Sequence, residues 1–162
     1  CSLSVGLINR YEELILEATE LGRQRAELRY AEPAQPEQVL ALQQKAFDLY
    51  QQAIDLEPQY PHVYKQLIVI LLDMHVSEDS MAQVNTIEQM GELFASWPDT
   101  LRQSIVANLQ TLAQIYETSP EWQTNRDDDP RQLRAFAEFV LTGEASAEIR
   151  AVLDPEENDF DD

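Results

Sequence analysis

Cysteine is almost missing from this chain. Its one thiol is Cys1, so neither a disulfide within the chain nor a cysteine-based metal cluster can form. Glycine occurs four times, and the chain contains neither a glycine-rich phosphate loop nor a G-x-S-x-G nucleophile elbow. The two histidines, His62 and His75, are not spaced to grip one metal ion from adjacent helical turns, and both read as surface or helix-end residues. Lysine is confined to Lys45 and Lys65. At a formal net charge of −19, the chain lacks the clustered cations that release counterions from nucleic acid or attract anionic lipid. Its longest unbroken apolar run, Leu67 to Leu72, is far too short to span a bilayer. On this reading, membrane contact comes only through a lipid anchor.

What is present favours helix. Alanine, leucine, glutamine and glutamate dominate, all good helix formers. The apolar share of 44% is that of a globular chain, and 162 residues suffice for a core without metal or disulfide. Leu7, Tyr11, Leu14, Ala18, Leu21 and Leu28 recur at three- and four-residue steps and predict a long amphipathic helix from Ser4 to Tyr30. Pro36 opens a second helix that ends at Glu57-Pro58, and Pro61 opens a third. The third is apolar almost all round at Leu67 to Leu72, which predicts a central buried element. Ser77 reads as the cap of a fourth helix carrying Met81, Val84, Ile87, Gly91 and Phe94, and Ser96 as the cap of a fifth. An irregular stretch follows from Ser119 to Asp129. Asp129-Pro130 starts a sixth helix that Gly143 stops, and a seventh covers Glu144 to Leu153. The expected fold is all-α: about seven helices stacked as antiparallel hairpins in one domain over residues 1–153. Residues 154–162, rich in acids, read as a disordered tail.

One stretch carries a more specific pattern. Ala46 is followed by Tyr50, Ala53 and Pro58, and then by Tyr64, Leu67 and Leu71. Small residues let two helices approach, an aromatic fills the gap one turn on, and proline stops the helix so that the chain turns back. Over residues 45–71 this resembles a tetratricopeptide repeat (TPR), with Ala46, Tyr50, Ala53 and Pro58 matching its second helix and turn. Tyr64, Leu67 and Leu71 stand where the next repeat's first helix places large residues. Leu109, Leu112, Ala113 and Tyr116 echo that first helix again. The resemblance implies stacked helical hairpins, a degenerate α-solenoid, and a groove that holds a peptide or helix of a partner protein.

The functional expectation follows from the resemblance and from the thin chemistry around it. No cofactor, metal site or catalytic constellation is expected, and the chain reads as a non-enzymatic adaptor or assembly scaffold. Asp127, Asp128 and Asp129 lack the alternating ligands and glycine of a calcium loop. Trp122, beside Arg126 in the irregular stretch, and Phe160 in the tail are candidate partner contacts. A lone cysteine at the first position reads as the lipidated residue of a bacterial envelope lipoprotein; the competing reading makes Cys1 a fragment boundary and the protein cytoplasmic or part of a larger one. The acidity suggests a basic partner, and with it two alternative roles: an acidic decoy that blocks a basic protein surface, or a structural subunit of a larger complex.

Overall fold

The computed structural model describes residues 5–153, with side chains from Asn9 to Val152. Cys1, Phe160 and the acidic tail lie outside the described residues. The described chain is all-helical, built of helices packed as antiparallel hairpins. It divides into two compact units, one running through Met74 and the other beginning at His75.

The first unit holds α1 (Val5–Arg29), α2 (Pro36–Leu56) and most of α3 (Pro61–His75). Pro36 occupies the first turn of α2, where its missing N–H costs no helical hydrogen bond. Leu14, Ala18 and Leu21 of α1 meet Ala46, Leu49, Tyr50 and Ala53 of α2, and Val63 and Leu67 of α3 close the same core. Ala18, Ala46 and Ala53 are almost wholly buried; their small side chains allow the helix backbones to approach. At the α2–α3 turn, the Tyr64 hydroxyl donates to the Pro58 carbonyl at 2.6 Å, and the Tyr11 and Tyr60 rings meet edge-on at 5.4 Å. The third helix is less buried than its composition predicts. Val63, Tyr64, Leu67 and Leu71 face the core, but Val69 is 50% exposed.

The second unit departs from the expected helix starts in three places. The expected fourth helix is two helices, α4 (Glu78–Ala82) and α5 (Ile87–Ser96). Ser77 caps α4, accepting from the Ser80 N–H at 3.1 Å. A capping box then starts α5: Thr86 accepts from the Gln89 N–H at 3.1 Å, and the Gln89 side chain accepts from the Thr86 N–H at 3.2 Å. Ser96 is not a cap. It is the last residue of α5, and its hydroxyl donates back to the Leu93 carbonyl. The next helix, α6 (Asp99–Thr118), starts after Pro98 because a residue before proline is barred from helical backbone; Trp97 is accordingly extended.

Two short 3₁₀ turns, Pro120–Trp122 and Arg126–Asp128, then lead to α7 (Pro130–Thr142). Asp129 caps α7 by accepting from the Arg131 N–H at 2.9 Å, and Gly143 ends it in the left-handed conformation with φ 71°. The last helix, α8 (Ala147–Leu153), begins three residues later than expected, with the Ser146 hydroxyl accepting from the Ile149 N–H.

α6 and α7 form the central hairpin of this unit. α5 lies against α7 through an aromatic cluster in which Phe94 meets Trp97, Phe136 and Phe139 at centroid distances of 4.9, 5.6 and 5.0 Å. The two backbones come close at Gly91 and Gly143. A methyl group on Gly91 would overlap the Gly143 carbonyl and touch the Phe139 ring at 3.0 Å.

Candidate functional site

In the first unit, α1 and α3 form the walls of an open groove whose floor is α2. Its cavity volume is about 370 Å³. From α3 it receives His62, Gln66, Val69, Ile70 and Asp73, residues three and four apart that share one face of the helix. From α1 come Ala18, Gly22 and Arg25, again one stripe. The floor is Leu42, Gln43, Ala46 and Tyr50. Ala46 and Tyr50 therefore have a double place: they pack in the core and line the groove. The other residues of the sequence pattern do not line it. Ala53, Tyr64, Leu67 and Leu71 are buried, and Pro58 is exposed in the turn.

The electrostatics of the groove are balanced. Arg25 and Asp73 pair across its rim at 3.1 Å, each partly shielded from water. Lys45 and Glu17 lie 4.0 Å apart, linking α2 to α1. Burial pushes the Tyr50 hydroxyl above its ordinary pKa, with a hydrogen bond to Thr19 opposing the shift. His62 is exposed at the groove.

A second titratable cluster lies at the α2–α3 turn. Burial, reinforced by Tyr60, Glu57 and Tyr64, pushes the Tyr11 pKa up to about 12. Glu57 is 3% exposed; one carboxylate oxygen accepts from Gln59 at 2.6 Å and the other has no hydrogen-bond partner among the described residues.

The second unit offers two further concavities. One is apolar, about 400 Å³, between the start of α5 and α7, lined by Val84, Ile87, Met90, Phe136 and Phe139. The other is polar, about 500 Å³, with Gln123, Arg126, Arg131 and Gln132 among its lining residues. Arg126 is thus an exposed residue at the edge of a polar hollow, whereas Trp122 is half-buried in the first 3₁₀ turn.

The three aspartates before α7 do not converge. Asp128 turns inward, 1% exposed, and accepts from the Thr124 N–H at 2.8 Å, the Thr124 hydroxyl at 3.2 Å and the Asn125 N–H at 3.3 Å. Asp129 is engaged as the cap of α7, and Asp127 is exposed. Among the described residues, no group of three or more histidine, cysteine, aspartate or glutamate side chains is placed to hold a metal ion. No described helix is long and apolar enough to cross a membrane.

Sequence reasoning missed the groove's two glutamines. Gln43 stands three residues before Ala46 and seven before Tyr50, so its place on their helical stripe was a usable signal, hidden by the abundance of glutamine elsewhere. What the groove can do chemically is present apolar walls, neutralised charges and side-chain amides to an occupant. Compared with family models, curated proteins and solved structures, the chain finds no match.

Proposed function

We propose that this chain is a protein-interaction module of TPR-like type, non-enzymatic, whose first unit holds a segment of a partner protein in the groove between α1, α2 and α3. The observation that carries this reading is the groove itself: an open channel whose floor includes Ala46 and Tyr50, the residues of the TPR-like pattern. Ala46 supports it by keeping the floor low. Val69 supports it by offering a half-exposed apolar wall that an occupant would cover, at a gain of about 25 cal/mol for each Å² of apolar surface removed from water.

The test exploits Gly22, where an added Cβ meets nothing within 4 Å. A Gly22→Trp side chain should therefore fill the groove from α1 without disturbing the core. A photo-crosslinker placed at Val69 should capture a discrete partner from the source cells. That capture should disappear with Gly22→Trp and persist with Leu141→Trp, an exposed control site on the second unit. A partner captured equally well by the Gly22→Trp protein would refute the proposal.

A further inference from the structure

The polar hollow of the second unit is lined by Ala151 and Val152 of α8 together with two arginines. Arg126 comes from the second 3₁₀ turn and Arg131 from the first turn of α7. In a chain of net charge −19, most of the described cations already have carboxylates. Arg23 sits between Glu20 and Glu27, Arg25 meets Asp73, Arg134 meets Glu117 and Arg150 meets Glu88. Arg126 differs: it is exposed, and its side chain makes no hydrogen bond or ion pair to the described residues. The Arg131 side chain is 82% exposed and meets Asp129 only at 3.7 Å. Asp129 is the one acid among the lining residues, and its carboxylate is engaged by the Arg131 N–H as the cap of α7. Of the neighbouring acids, Asp128 turns inward and Asp127 is exposed in the same turn as Arg126. The lining therefore sets two guanidinium groups against one engaged carboxylate, a locally basic surface on an acidic chain.

Charge and reach identify the occupant. Asp154, two residues past Val152, opens a stretch to Asp162 that carries six carboxylates. At about 3.5 Å per extended residue, Asp154, Glu156 and Glu157 stay within about 18 Å of Val152. A guanidinium takes a carboxylate through two parallel hydrogen bonds. An exposed ion pair is weak by itself, but a tethered group is held at an effective concentration on the order of millimolar, and several carboxylates here serve the same seat. A separate acidic chain must compete with that tethered supply. We propose that the hollow is a seat for carboxylate-rich chain, and that its occupant is the chain's own segment 154–162, held on Arg126 and Arg131.

Paramagnetic relaxation supplies the test on the full chain. A nitroxide is attached at Asn158→Cys, an uncharged position, with Cys1→Ser removing the other thiol. At about 0.01 M salt, where charges act over about 30 Å, the amide signals of Arg126, Arg131 and Gln132 should lose most of their intensity. They should recover at about 1 M salt, where that range falls to about 3 Å. They should recover equally in Arg126→Gln/Arg131→Gln, whose side chains are exposed, and in Glu156→Gln/Glu157→Gln/Asp159→Asn, which leaves the helical units untouched. Val152 brings the segment near the hollow in any case, so the charge dependence decides: broadening that survives salt and both sets of substitutions would overturn the proposal. So would signals at the hollow that keep their intensity at low salt, or broadening centred instead on Ile87 and Met90, which would seat Phe160 in the apolar hollow. Broadening that appears only when spin-labelled and isotope-labelled chains are mixed would place the contact between two copies and overturn it as well.

Discussion

Alanine in place of glycine should act with opposite sign at two helical positions of this protein. In a helix interior the exchange gains about 0.5–1 kcal/mol, because glycine loses the most backbone freedom on folding. At Gly22 an added methyl group meets nothing within 4 Å, so Gly22→Ala should realise that gain. At Gly91 the same methyl overlaps the Gly143 carbonyl oxygen and reaches the Phe139 ring at 3.0 Å. The obstruction is backbone, which cannot swing aside as a side-chain tip would. α5 must shift on α7 and disturb the Phe94–Phe139 contact at 5.0 Å. Overpacking of this kind costs about 1–3 kcal/mol, and the rigidity of the obstacle places Gly91→Ala near or above the upper end. Subtracting the helical gain leaves a net loss of about 2 kcal/mol. For a unit of this size, that lowers the melting temperature by roughly 10 °C, while Gly22→Ala raises it by a few degrees. Thermal and urea unfolding followed by circular dichroism would measure both. A Gly91→Ala protein as stable as the wild type would show that the two backbones do not meet as described.

Two further outcomes follow from polar groups shielded from water, Asp128 fully and Tyr11 in part. Asp128→Ala strips the acceptor from the Thr124 N–H, the Thr124 hydroxyl and the Asn125 N–H. Hydrogen bonds to a charged group contribute about 1.5–3 kcal/mol each, with relaxation recovering part, so a loss of about 3 kcal/mol is expected in urea denaturation; a change under about 1 kcal/mol would contradict the assignment. Tyr11, with its pKa raised from 10.0 to about 12, favours the folded state while neutral. Its contribution is complete below the unfolded value near 10 and is lost as pH rises through about 12. Tyr11→Phe should therefore flatten the fall of stability over that window in an alkaline titration, and an unchanged profile would rule out the linkage.

Much of the helical layout is legible in the sequence because its signals are local. Pro36, Ser77, Asp129 and Gly143 all mark helix ends where the structure has them. The misreadings have local causes too. Ser96 carries the chemistry of a cap, but Pro98 bars Trp97 from helical backbone and moves the start of α6 to Asp99. The Thr86–Gln89 box was equally visible in the sequence, but the spacing of Met81, Val84, Ile87 and Gly91 reads as one continuous stripe across the break. The apolar run from Leu67 to Leu72 suggests full burial because periodicity alone does not reveal how many neighbours a helix has. Of the groove, Ala46 and Tyr50 are legible as a pattern. Gln43 is not, since its place on the groove floor depends on how three helices meet.

The stretch from Ser119 to Asp129 has the length and polarity of a site for inserting a tag or reopening the chain as new termini. Asp128 makes it a poor one. Its carboxylate ties Thr124 and Asn125 to the base of α7, so an insertion between them would pull apart the bonds that set where α7 begins. The link from Tyr30 to Gln35, with Tyr30 81% exposed, offers a better place to splice. An engineer guided by loop length alone would cut this protein at its knot and overlook its seam.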